Sequence, residues 1–88
     1  MYVGRFEPDR IERRVSGRLR LVEVRSRRTS KLALASVGRA KQLRLAVMAR
    51  QLAKVTGESV TIEVEAVGGR RIERKALGVV QPDLSDHN

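Results

Sequence analysis

The chain has no cysteine and no tryptophan, one tyrosine, one phenylalanine, one histidine and two prolines in 88 residues. Without cysteine there is neither a disulfide framework nor a thiolate metal site, and nothing points to an oxidising compartment. The lone His87 falls in the C-terminal tail, and no serine or lysine has an evident base beside it, so nucleophilic and acid–base catalysis lack a constellation. No apolar run approaches the ~20 residues that span a bilayer, and the amino terminus lacks the apolar core of a signal peptide. A cytoplasmic location is therefore expected, with no membrane, small-molecule substrate, cofactor or metal. Tyr2 and Phe6 are the only aromatics, too few for a platform that stacks single-stranded bases.

A further absence concerns charge. Between Val24 and Gly57 the sequence holds Arg25, Arg27, Arg28, Lys31, Arg39, Lys41, Arg44, Arg50 and Lys54 and no acid, although the whole chain carries ten acids and a formal charge of +9. Residues 58–88 reverse the balance with Glu58, Glu63, Glu65, Glu73, Asp83 and Asp86. Positive charge is thus placed rather than spread, which makes a polyanion the expected partner; a charge run can also do no more than solvate a helix face. The chain length suits one domain over residues 1–80, followed by a flexible acidic tail over 81–88, and a domain this small often gains from oligomer contacts.

Met1–Phe6 reads as a first strand stopped at Glu7-Pro8. Asp9 and Glu12 form a capping-box pattern, and Ile11, Val15, Leu19 and Val22 then fall at helical spacings. Gly17 opposes that helix, and the competing parse makes Ser16-Gly17 a hairpin turn followed by a strand through Leu19, Leu21 and Val24. Residues 25–30 read as a basic linker. Leu32 and Leu34 alternate with alanines before Gly38, as in a short strand, and Arg39–Thr56 is a strong amphipathic helix stopped by Gly57. Val60, Ile62 and Val64 alternate with Thr61, Glu63 and Glu65 in a strand with one wet face, where the paired glutamates could also hold a metal. Gly68-Gly69 turns the chain into a last strand over Ile72–Val80. The resulting fold class is α+β, a two-layer βαβαββ sandwich with two helices on a small mixed sheet. The alternative is ββαββ, with residues 30–56 as one long central helix.

Three stretches resemble the Alba family of small nucleic-acid-binding proteins of archaeal chromatin and RNA-associated complexes. Tyr2-Val3-Gly4-Arg5 with Pro8 looks like the family's opening strand and helix start. Gly38-Arg39-Ala40 after Leu-x-Leu is similar to its strand-to-helix turn. Val55, Val60, Ile62 and Val67-Gly68 fall where it places the end of the second helix, the third strand and the start of the hairpin. The resemblance implies a homodimer that lies along nucleic-acid backbone while two hairpin arms reach into minor grooves.

The physics of the residues leads to the same expectation. Arg39 at a helix N-terminus, Arg5 in the first turn, and Arg70, Arg71, Arg74 and Lys75 on the hairpin are the candidate contacts. Lys31, Lys41 and Arg44 would add long-range field. Arg39 could equally begin a solvated helix, and Arg71 or Arg74 could pair with Glu73 or Glu65 across the hairpin. The expected function is binding of DNA and/or RNA without sequence specificity, as an architectural, chromatin or RNA-associated protein that joins the nucleoid if DNA is the ligand, and not as an enzyme. The alternative is a basic adaptor or inhibitor that docks on an acidic protein or within a ribonucleoprotein complex.

Overall fold

The computed structural model describes residues 9–14 and 18–82. In chain order they form β1 (Arg10–Arg13), β2 (Leu19–Arg27), α1 (Ser30–Ala35), α2 (Arg39–Thr56), β3 (Val60–Gly68) and β4 (Arg71–Val80). The four strands make one mixed sheet in the order β1-β2-β3-β4, antiparallel at both outer pairs and parallel between β2 and β3. Parallel neighbours need a long crossover, and α1 with α2 supplies it. The expected class, two helices on a small mixed sheet, is what forms. Its order is ββααββ over the described residues, and the expected first strand at Met1–Phe6 lies outside them.

Two local expectations change. β1 and β2 pair antiparallel, as in the competing parse, and are not a helix: Ile11 stands opposite Leu21 and Arg13 opposite Leu19, and Arg14 N–H donates to the Arg18 carbonyl at 2.8 Å, while the expected turn at Ser16-Gly17 lies outside the described residues. Spacings of four, four and three fit a helix, yet Leu19 and Leu21 also alternate on one strand face while Val22 and Val24 fill the other. The β-branched content favours that pleated solution once both faces are covered. Asp9 is no helix cap; its carboxylate accepts from Val24 N–H at 2.9 Å on the neighbouring strand.

Residues 30–35 are helical where alternation suggested a strand. Thr29 caps the helix, its hydroxyl accepting from Leu32 N–H at 3.1 Å, and Ser30 and Ala33 face inward. The six residues are mostly good helix formers, and over so short a run a period of two cannot be told from one of 3.6. The single long helix of the alternative parse is also absent. Ser36 Oγ donates to the Ala33 carbonyl, Val37 turns into the core, and Gly38 restarts the chain as α2.

Leu45, Met48, Ala49, Leu52 and Ala53 of α2 pack on Leu19 and Leu21 of β2 and on Val60, Ile62 and Val64 of β3. Gly57 ends α2 in the left-handed conformation at φ 71°, and its N–H caps the Ala53 carbonyl. The opposite end of the sheet depends on Gly68. A Cβ there would lie 2.0 Å from the Ser30 nitrogen and 2.1 Å from the Thr29 carbonyl carbon, so only a bare Cα lets the β2–α1 connection rest on the end of β3.

Gly68→Ala is therefore expected to destabilise the protein by roughly 2 kcal/mol or more, because backbone and not a movable side chain meets the new methyl. Gly78→Ala, whose Cβ would meet nothing within 4 Å, should change stability little. Chemical denaturation of the two variants checks this contrast.

Candidate polyanion interface

The pleat divides the hairpin's basic residues between two faces. Val64 faces the helices and stands opposite Lys75, whereas Glu65 faces away from them and stands opposite Arg74. Gly68, on the helix side, stands opposite both Arg27 of β2 and Arg71 of β4. Arg74 and Lys75 thus point to opposite sides of the sheet and cannot serve one arm.

On the helix-free face the charges neutralise one another. Arg74 reaches Glu12 of β1 at 3.0 Å and Glu63 and Glu65 of β3 at 3.4 and 3.0 Å. Arg10 bridges Glu12 at 2.8 Å and Glu65 at 2.9 Å, and Arg14 and Arg20 approach Glu63 at 3.2 and 3.4 Å. Glu63 is only 5% exposed beneath these arginines, so the face expected to be wet is roofed by ion pairs. Arginines contact the carboxylates of both Glu63 and Glu65. The hydrogen bonds from Arg74 lower the Glu12 carboxyl below its usual range. Burial alone would raise Glu65, but hydrogen bonds from Arg10 and Arg74 outweigh it and lower that carboxyl too. Their carboxylates, Glu12's above all, raise Arg74 in return. Arg74 is a structural clasp, as the cross-strand pairing with Glu65 suggested.

Lys41 is likewise committed. Its Nζ lies 3.4 Å from buried Glu23, which also meets Arg25 at 3.1 Å. Burial, then a hydrogen bond to the Asp9 carboxyl and its charge, push the Glu23 carboxyl up despite those two cations.

Five further cations, Arg27, Arg28, Lys31, Arg70 and Arg71, gather at one end of the molecule, while Arg18 precedes β2 and Arg44, Arg50 and Lys54 are spread along α2. Arg27 and Arg71 flank Gly68 on adjacent strands, roughly 10 Å apart across two strand spacings. Gly69, at φ 58°, passes close to the Arg28 carbonyl, which a Cβ there would approach to 3.8 Å, and exposed Arg70 follows it. Lys31 is the second residue of α1, just after the Thr29-Ser30 backbone that rests on Gly68. Arg28, Lys31 and Arg70 have no acid partner among the described residues, and Arg71, 78% exposed, has only a 3.6 Å contact with Glu73. Sequence reasoning assigned Arg27 and Arg28 to a linker; the doubled glycine at 68–69 is the signal that another backbone approaches there.

Arg39 stands apart from this end. It is the first residue of α2, behind a Gly38 cap that offers no side-chain hydrogen bond and with no acid in the first turn. It lines an open groove of about 310 Å³ with Gln42, Leu43, Ala46, Ile62 and Leu77. Leu77 is six residues from Arg71, or ~20 Å along β4. Lys75 is exposed on the same side, while Arg44, five residues beyond Arg39, lies ~140° around α2. Arg5 falls outside the described residues.

No family model, no curated protein and no solved structure matches the chain. No helix among the described residues is long and apolar enough to cross a membrane.

Two predictions follow from the ion pairs. Arg74→Met should cost roughly 1–2 kcal/mol, the value of a few charge-assisted hydrogen bonds reduced by partial solvent exposure. It should also flatten the acid limb of the stability profile, because lowered carboxylates stabilise above their unfolded pKa and lose that contribution as pH falls through the folded value. Glu23 has the opposite sign: a raised carboxyl stabilises most below its unfolded value near 4.5 and loses that contribution as pH rises through the folded value. Thermal melts from pH 4 to pH 7 should therefore show Glu23→Gln gaining on the wild type as pH increases.

Proposed function

We infer that the protein binds the phosphate backbone of DNA or RNA without reading sequence. The observation that carries this reading is the joining of Arg27-Arg28 and Arg70-Arg71, distant in sequence, at one end of the sheet, while Glu12, Glu63 and Glu65 are engaged on the helix-free face and Glu23 is met by Lys41 and Arg25. Arginine presents a planar fork suited to phosphate oxygens, and Lys31 adds charge beside it. The uncapped start of α2 supports Arg39 as a second phosphate contact, since its free N–H groups and helix dipole favour an anion. Lys75 lies between the two on the helix side.

An architectural or RNA-associated role in the cytoplasm or nucleoid fits such binding. The likeness to the Alba family retains α2, β3 and the hairpin as its support, and the reading above does not depend on it. The adaptor alternative draws on one observation, the exposed Leu43 and Val47 on α2, which an acidic protein with an apolar ridge could cover.

The test is the salt dependence of affinity for duplex DNA and duplex RNA. Each phosphate contact contributes about 0.9 to the slope of log K against log salt on B-DNA, so Arg27/Arg28→Ala and Arg70/Arg71→Ala should each reduce it by about 1 to 2. Arg44→Ala should leave it nearly unchanged. Duplex affinity that is independent of salt would overturn the reading, and tight binding to an acidic protein with none to duplexes would favour the adaptor.

A further inference from the structure

Phosphate contacts alone leave one part of the surface without a role. The open groove of about 310 Å³ beside Arg39 is walled by Leu43 and Ala46 of α2, Ile62 of β3 and Leu77 of β4. Leu43 is 60% exposed and Leu77 39%, so the groove offers apolar surface to solvent in a small chain. Gly78 pairs with Ile62 and shares its helix side, and a Cβ there would meet nothing within 4 Å. The missing side chain leaves free space beside Ile62.

Polar groups border this apolar floor. Arg39 lines the groove and has no acid partner among the described residues. Lys75, on the helix side two residues before Leu77, has none there either. Gln42 also lines the groove; its Nε2 donates to the Val37 carbonyl at 3.0 Å, which fixes the amide and leaves Oε1 as a free acceptor.

We propose that the groove receives one unpaired nucleobase of the bound nucleic acid while Arg39 holds a phosphate beside it, so that the preferred ligand carries a bulge or an overhang. The proposal rests on the polyanion reading and narrows its class of ligand. Charge and shape together select a nucleotide. The cations suit phosphate, the aliphatic floor suits the faces of a base, and the Gln42 oxygen suits a ring N–H or an exocyclic amino group. An uninterrupted duplex keeps its bases paired and stacked, whereas a base already unpaired costs least to move into a pocket. At the small end of the ~300–1,000 Å³ typical of ligand sites, the groove has room for one base and not a run. A single aliphatic slot also agrees with the shortage of aromatics for a stacking platform.

The test compares duplex probes of equal length carrying one bulged adenine, one bulged abasic residue or no bulge. The abasic probe keeps the phosphates and the flexibility of the bulge and removes only the base. The wild type is expected to bind the adenine bulge about tenfold more tightly than the abasic one, the worth of roughly 60 Å² of ring surface removed from water. Gly78→Val fills the groove with a residue suited to a strand. It should abolish that preference and leave affinity and salt slope for the uninterrupted duplex unchanged. Leu43→Ser, at an exposed helix position, should weaken the preference as well, and circular dichroism should show both variants folded. A bulged 2-aminopurine should brighten on binding the wild type, because it leaves the stack, and should not do so with Gly78→Val.

Equal affinity for the adenine and abasic bulges overturns the proposal, as does a preference that survives both substitutions in folded protein. Either result, with salt-dependent duplex binding intact, leaves the polyanion reading standing. No binding to any probe at low salt removes both. If Gly78→Val instead dissociates a dimer in sedimentation without nucleic acid, the groove belongs to a second copy and the proposal falls.

Discussion

Arg74 ties the two edge strands of the sheet together. From β4 it spans β3 and reaches β1, and in doing so it engages Glu12, Glu63 and Glu65. Around it Arg10, Arg14 and Arg20 complete a lattice in which no carboxylate is left uncompensated. The sheet therefore needs no second helical layer on this face, and Val22 lies fully buried on it. The same lattice decides where function can reside, because cations held by carboxylates are poor ligands for phosphate.

With that face closed and Lys41 held by Glu23, the uncompensated charge is left on α2 and at the Gly68 rim. Gly68 then acts as the organising contact. Its missing side chain lets the start of α1 settle on the end of β3, and two arginine pairs become neighbours although more than forty residues separate them. Local chain geometry supplies a cluster that no single segment contains. The resulting end is rich in arginine, exposed, and among the described residues compensated only weakly, by Glu73, which are the properties that make attraction to a polyanion strong at low salt and weak at high salt.

Local features of the sequence were legible and long-range ones were not. Arg39–Thr56, its Gly57 stop, the strand from Val60 and the Gly68-Gly69 turn depend on neighbours within a few residues, and each forms as read. Ile11, Val15, Leu19 and Val22 fall at helical spacings while Leu19 and Leu21 also alternate, and it is the pairing of β2 with β1 and β3 that selects the strand. Residues 32–35 are too few to distinguish the two periods. The roles of Arg74 and Lys75 require the pleat's phase relative to the helices, and the contribution of Arg27 and Arg28 requires the parallel register that sets Arg27 beside Gly68. Neither follows from composition.

The central claim is that polyanion binding sits at the Gly68 end and not on the helix-free face. The most direct measurement is a map of backbone amide chemical shifts during titration with a short duplex at low salt. The account expects the largest changes at residues 27–31 and 69–71, with Arg39 responding as well, and little change at Arg10, Glu12, Arg20, Glu63 and Arg74. Perturbations centred on the Arg74 lattice, or spread evenly over all basic residues, would contradict it.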